Sequence, residues 1–285
     1  MVLAQVLLNG MLLGGLYGLM ALGMALVWGV LNIVNLSHGA LIMLGGYVVY
    51  YVFRDTGLDP FAALPIAMAV MFAFGFLLQC YLLNLIVRSA LLNTLLITFG
   101  LDVVITYLAQ LLFTADFRTI NPPYAGANFM VLGLTVPMVR LAAFLVAVVL
   151  AAALWWLLNR LPLGRAIRAT SQNLVAARLY GVDPRILYAT TFGIGAALAG
   201  AAGGLYGMIS NLTPYIGAGL TAKSFVIAII GGLVNPFNVI LGGIVVGIAE
   251  SLAALYIGPT YTDVISFGLL VLVLVVRPVR TLRAA

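Results

Sequence analysis

Of the 285 residues, 65% are hydrophobic and only 7% charged, and the mean hydropathy is +1.22. So little polar surface cannot clothe a water-soluble fold, so composition predicts an all-α polytopic membrane protein, a single transmembrane domain over residues 1–285 embedded in a lipid bilayer. The net charge of +6 does not point to nucleic acid: every basic residue except Lys223 is an arginine, and most lie between or just after apolar runs, the pattern that orients helices in a bilayer.

In chain order, apolar runs long enough for membrane helices fall at about residues 5–34, 37–53, 61–87, 91–113, 138–158, 189–210, 222–234, 238–257 and 262–276. The runs at 37–53 and 222–234 are short enough to be re-entrant, which leaves eight or nine crossings. The first run, Val6 to Val34, lacks a basic leader and is too long for a signal-peptide core, so it is expected to stay in the membrane. Cys80 is the single cysteine and lies in an apolar run, so no disulfide framework exists.

The longest polar connection, Asn159 to Tyr188, carries Arg160, Arg165, Arg168, Arg178 and Arg185 against one acid, Asp183; the tail adds Arg277, Arg280 and Arg283. Both are expected in the cytoplasm, with Arg88 on the same side. The opposite face then receives Arg54, Asp55, Asp59, Asp116, Arg118 and Asp263, close to neutral. Thr114 to Pro137 holds Asn121, Pro122, Pro123 and Gly126 and reads as an external loop.

An internal repeat is visible. Gly14-Gly15-Leu16-Tyr17-Gly18 recurs as Gly203-Gly204-Leu205-Tyr206-Gly207, and each copy is followed by a second element, ending in Gly45-Gly46 in the first and carrying Gly231-Gly232 in the second. An odd number of spans separates the copies, so they would be inverted, an arrangement that places a pathway at the repeat interface in many transporters. Gly10, Gly14 and Gly18, Gly200 and Gly204, Gly203 and Gly207, and Gly243 and Gly247 recur at four-residue spacing, which permits close helix packing in lipid.

Catalysis finds little material. One His, one Cys, one Lys and one Glu cannot supply a zinc site, and neither metal nor cofactor is expected. Ser37 beside His38 is a poor nucleophile–base pair, since neighbours on one segment rarely reach the needed geometry. Gly217 to Ser224 approximates a phosphate loop, but Ala222 replaces its penultimate glycine and the segment enters a membrane span, so no nucleotide binding is expected. Ionisable residues within spans are candidates for function: Asp102, Glu250, and the pair His38 and Lys223 at matching ends of the repeat elements. The alternative reading is a helix-to-helix hydrogen bond for Asp102 and Glu250, and a satisfied interface residue for His38.

In the 159–188 connection, Gly164 to Thr170 leads into an expected short helix, Gln172 to Tyr180, with Leu174, Val175 and Leu179 on a face. Gly181 is placed for a left-handed C-terminal cap, and Asp183-Pro184 for the start of the next helix. The expectation is a helix–turn–helix device; an amphipathic loop lying on the bilayer is the alternative.

Three blocks together resemble the permease subunits of branched-chain amino acid ABC importers. The first comprises Asn9-Gly10, Ala21 to Val30 and Asn35-Leu-Ser-His-Gly-Ala-Leu-Ile-Met-Leu-Gly-Gly-Tyr47. The second runs from Gly164 to Thr170 and from Ala176 to Asp183. The third is Lys223-Ser-Phe with Ile230-Gly-Gly and Leu241 to Glu250. The resemblance implies a non-enzymatic inner-membrane importer subunit that translocates leucine, isoleucine and valine. Its implied partners are a second permease subunit, two cytoplasmic ATP-binding subunits and an external solute-binding protein. It also implies that Arg165, Arg168, Ala176, Arg178, Gly181 and Asp183 form the coupling element to the ATPases. Asn35, Ser37, His38, Asp102, Lys223 and Glu250 are the pathway candidates. Leu233-Val-Asn-Pro-Phe237 stands where the family has a small Gly/Ser-rich turn, which leaves urea, short amides and other small solutes open as cargo. A stand-alone secondary carrier and an intramembrane enzyme are the readings from other classes.

Overall fold

A computed structural model describes residues 1–276 apart from 86, 88–90, 132 and 234. Arg88 and the tail arginines Arg277, Arg280 and Arg283 lie outside the described residues. The long helices are α1 (Val2–Leu31), α2 (His38–Thr56), α3 (Pro60–Tyr81), α4 (Leu91–Phe113), α5 (Met138–Arg160), α8 (Pro184–Ile209), α9 (Gly217–Gly231), α10 (Pro236–Tyr256) and α11 (Thr262–Val276), with the short α6 (Pro162–Gln172) and α7 (Leu174–Leu179) between α5 and α8. Among the described residues, seven helices are long and apolar enough to cross a membrane, counting α9 with the turn that precedes it; α2, at 19 residues, and α11, at 15, complete the nine predicted apolar segments. The chain is a multi-pass membrane protein of helices.

Several helix starts use one device. Asp59-Pro60, Asp183-Pro184 and Asn235-Pro236 begin α3, α8 and α10: each carboxylate or amide oxygen accepts from the backbone N–H two residues on, while proline sits where no donor is needed. The loop after α4 is more ordered than its turn formers suggested. It contains an antiparallel hairpin, β1 (Asn128–Val131) with β2 (Leu134–Pro137), in register Phe129↔Val136 and Met130↔Thr135.

Two antiparallel seams organise the bundle. Along α1 and α10, Gly10 lies against Gly247, Gly14 against Gly243 and Ile244, and Gly18 against Ile240; a Cβ on Gly14 would stand 2.6 Å from the Gly243 carbonyl oxygen. Along α3 and α8, Gly75 meets Ala196, Gly200 meets Met71, and Gly204 meets Leu64. Small residues let backbones approach here, where lipid offers no hydrophobic drive to associate. The seams correspond under the repeat: α8 is the counterpart of α1, and α10 of α3. The smaller helices follow suit, with α2 packed on α8 through Gly45 and Gly46 against Gly200 and Gly203, and α9 packed on α1 and α10.

The ends of the bundle sort as the arginines predicted. Gln5 bonds Thr135, Tyr124 bonds Asp59, and Arg118 and Leu212 exchange backbone hydrogen bonds, so the N-terminus, the α2–α3 turn, the hairpin and the α8–α9 turn share one end. Burial, and then the Asp59 carboxylate accepting its hydroxyl at 2.5 Å, push the Tyr124 phenol far above its usual range. Arg140, absent from the charge tally, starts α5 at this same end. The α5–α8 connection lies at the other, where the Asn84 amide donates to the Arg185 carbonyl.

Candidate functional site

The repeat brings two re-entrant connections to one place. Helix α1 ends at Leu31 with Asn32 in a left-handed cap, and the chain turns back so that α2 begins beside the middle of α1: the His38 imidazole donates from Nε2 to the Met20 carbonyl at 2.8 Å. Helix α8 ends at Ile209, and the chain likewise re-enters so that Gly217, the first residue of α9, lies against Gly39 and Ala40. The two helix starts therefore meet inside the bundle. Thr221 fastens them, its hydroxyl accepting from the Gly39 N–H at 2.7 Å and donating to the Leu36 carbonyl at 3.1 Å.

Asn35, Ser37 and His38 are all buried at this junction. The Asn35 side-chain oxygen accepts from the Ser37 hydroxyl at 2.7 Å and from the Ser37 N–H at 3.1 Å, shaping the turn into α2. Among the described residues, the Asn35 amide nitrogen and the Ser224 hydroxyl have no hydrogen-bond partner although both are buried. The segment that mimics a phosphate loop, Gly217 to Ser224, is this start of α9, packed against α2 through the buried Gly217 and Thr221.

In the same segment, two residues after Thr221, Lys223 forms an ion pair with Glu250 of α10, Nζ lying 2.9 Å from Oε1 and 3.1 Å from Oε2. The Ser266 hydroxyl of α11 donates to the same carboxylate at 2.5 Å. On the other side Lys223 sits 4.5 Å over the Tyr17 ring and 3.4 Å from its hydroxyl. The side chains of the pair are only 16% and 6% exposed. Each such charge costs about 2.5–3.5 kcal/mol at a helix centre on insertion scales, and a buried pair commonly adds no net stability over apolar side chains of equal volume. Lys223 and Ser266 border a cavity of about 250 Å³ walled also by Ile216, Leu220, Val226, Tyr206 and Phe267.

Five of the six pathway candidates thus gather on α9, α10 and the re-entrant start of α2. Asp102 does not join them. It is half-buried on α4, and one of its carboxylate oxygens is buried without a hydrogen-bond partner among the described residues. Tyr17, Thr221 and Ser266 are the site residues that sequence reasoning missed. Tyr17 had a signal, since it stands in the repeated glycine motif with Tyr206 as its counterpart.

The connection between α5 and α8 is a second, separate feature. The expected short helix from Gln172 to Tyr180 is present as α7, shortened at its start: α6 runs to Gln172, and Asn173 breaks off to cap α7 through its side-chain oxygen, which accepts from the Ala176 N–H at 3.0 Å. Asparagine competes for backbone donors, which is why the break falls there. Gly181 adopts φ +84°, with Val182 N–H bonded to the Ala177 carbonyl and Gly181 N–H to that of Arg178, the paired bonds of a glycine-terminated helix. Asp183 then caps α8 by accepting from Arg185 N–H at 2.9 Å.

Burial divides this device into a foot and a tip. Gly164, Ile167 and Thr170 of α6 are buried against the bundle, and Arg168 donates to the Asn159 side-chain oxygen. Arg165 and Arg178 are exposed, as are Val175 at 69%, Leu179 at 84% and Tyr180 at 90%. Within the chain, nothing described covers this apolar and basic tip.

Against known proteins, residues 6–274 match the family described as branched-chain amino acid transport system / permease component. The chain is 30% identical to the high-affinity branched-chain amino acid transport system permease protein BraD of Pseudomonas aeruginosa, over 96% of this chain and 94% of that one. It is 31% identical to the corresponding LivH of Escherichia coli, over 96% and 93%. The permease protein LivM of Escherichia coli is 30% identical over 92% of this chain and 67% of its own length. No solved structure matches.

Proposed function

The chain belongs to the permease-component family of branched-chain amino acid transport systems, and from that premise we propose that it carries branched-chain amino acids through the inner membrane, driven by partner ATPases. The family is one of transport rather than catalysis, and the chain's own chemistry agrees: its polar interior groups are arranged to bind and hold. The single observation that carries the energy-coupled reading is the α6–α7 projection, anchored at its foot and bare at its tip. Fully burying Val175, Leu179 and Tyr180 in a partner's groove would each contribute on the order of 1.5–3 kcal/mol, and Arg165 and Arg178 would steer an acidic groove toward it.

In this reading α6–α7 faces the cytoplasm and transmits closure of two ATP-binding subunits. Arg168, through Asn159, and Gly181 and Asp183, through their caps, keep the projection stiff enough to push. Ala176 sets its angle by closing the Asn173 cap. The residues gathered at the meeting of α2 and α9 line the route, while an external binding protein delivers the solute at the hairpin end. That two differently named permease proteins of Escherichia coli both resemble this chain supports a pair of permease subunits.

The test is reconstitution. The chain alone should bind no ATP, whereas vesicles also holding the partner permease and ATPases should take up L-leucine from its binding protein only when ATP is inside. Uptake that proceeds without the ATPases would replace this reading with a secondary carrier.

A further inference from the structure

Lys223, Glu250, Ser266 and Tyr17 come from four helices, α9, α10, α11 and α1, and form one polar cluster, of which Lys223 and Ser266 stand in the wall of a cavity and Glu250 and Tyr17 lie directly behind them. Their arrangement is unusual for a structural lock. A buried ion pair gives the bundle no clear stability over an apolar pair, yet this one sits where a cavity of about 250 Å³ reaches Lys223 and Ser266. The rest of that cavity wall includes Ile216, Leu220, Val226 and Phe267, an apolar lining with one polar corner.

We propose that this corner is the intramembrane binding site for the α-amino acid zwitterion, and that the solute binds by splitting the Lys223–Glu250 pair. Its carboxylate takes the place of Glu250 beside Lys223 and the Tyr17 hydroxyl. Its ammonium takes the place of Lys223 beside Glu250, whose orientation Ser266 holds. Its short branched side chain lies against Leu220, Val226 and Phe267. The proposal rests on the permease reading and adds the site and the basis of selectivity.

The exchange conserves charge pairing. One internal pair becomes two pairs with the solute, so neither charge is left bare in the apolar interior. A urea or simple amide supplies neither charge, and would part the pair while leaving both partners uncompensated. Empty, the chain satisfies itself, and the closed pair bars other small polar solutes. Because the groups stand on four helices, splitting the pair also unties α9 from α10 and α11, which couples occupancy to helix movement.

The experiment uses the whole transporter in vesicles, comparing wild type with the neutral pair Lys223→Met/Glu250→Leu. The neutral pair should assemble with the same elution profile and unchanged or higher thermal stability, while ATP-dependent L-leucine uptake falls at least tenfold. An assembled neutral-pair complex that keeps more than a tenth of wild-type uptake overturns the proposal and leaves the permease reading intact. A wild-type complex with no ATP-dependent uptake overturns the permease reading, and the proposal with it. Should the neutral pair fail to assemble, the wild-type complex decides. Lys223 is the chain's single lysine, so its acetylation by acetic anhydride is read on the one peptide of this chain that carries a lysine, apart from the α-amine and the partner subunits, and saturating L-leucine should slow that labelling at least threefold; a smaller effect overturns the proposal.

Discussion

Replacing Thr221 by valine keeps the side chain's shape and removes the hydroxyl that joins the starts of α2 and α9. The loss strips an acceptor from the Gly39 N–H, held at 2.7 Å, and a donor from the Leu36 carbonyl, held at 3.1 Å. Gly39 is in the first turn of α2, where backbone N–H groups have no partner within the helix. Leaving such a donor buried and unpaired costs about 1–3 kcal/mol, while interhelical hydrogen bonds in membrane proteins average about 0.6 and reach about 1.7. A local loss of about 1–2 kcal/mol follows, and since about 1.4 kcal/mol is a factor of ten, amide exchange at Gly39 should accelerate roughly 5- to 30-fold. Hydrogen–deuterium exchange on a peptide covering Leu36 to Ile42 reads this directly. Thr221→Ser, which keeps the hydroxyl, should exchange nearly as slowly as wild type. Exchange in Thr221→Val within twofold of wild type would refute the claim that this hydroxyl joins the two halves.

Gly181→Val should cost about 1 kcal/mol or more in backbone strain, because its φ of +84° resists a β-branched side chain; open space surrounds the position, so insertion and expression should be normal while solute-stimulated ATP hydrolysis falls several-fold in the assembled complex. Arg178→Glu at the exposed tip should weaken co-purification with the ATPases without changing the permease's own thermal stability. Gly14→Ala drives a methyl into the Gly243–Ile244 backbone, and overpacking of this kind should lower stability by about 1–3 kcal/mol, seen as a reduced melting temperature in detergent. In a Cys80→Ala background, a cysteine at Gln172 should be labelled only from the cytoplasmic side and one at Asn121 only from outside; the reverse would invert the proposed orientation.

The helices were legible because bilayer thickness imposes a length on apolar runs, and each predicted run corresponds to a helix. Caps were legible where the signal is local: Gly181 and Asp183-Pro184 do what their residue types favour. Depth was not. Nothing in the composition of Asn32 to Ser37 says that the chain turns back beside Met20, since re-entry is decided by packing against α1 and α8. Lys223 and Glu250 stood out singly as buried charges, but their pairing depends on how α9 and α10 are rotated, which their nearly uniform apolar surfaces leave open. Ser266 and Thr221 are ordinary neutral polar residues in apolar helices, and only the partner across the interface marks them. The hairpin escaped notice because strands of four residues with Phe129, Met130 and Val131 exposed lack the alternation by which a half-buried strand is recognised.

The two glycine seams also dictate an order of assembly. Helix α1 is made well before α10, which carries the surface that Gly10, Gly14 and Gly18 require; α3 waits in the same way for α8. The halves are therefore clasped, each holding a helix that the other completes, and neither can close by itself. During synthesis the first half must linger in lipid with its narrow glycine faces uncovered. Such an opening helix suits a protein in which no seam becomes final until α8, and then α10, has arrived.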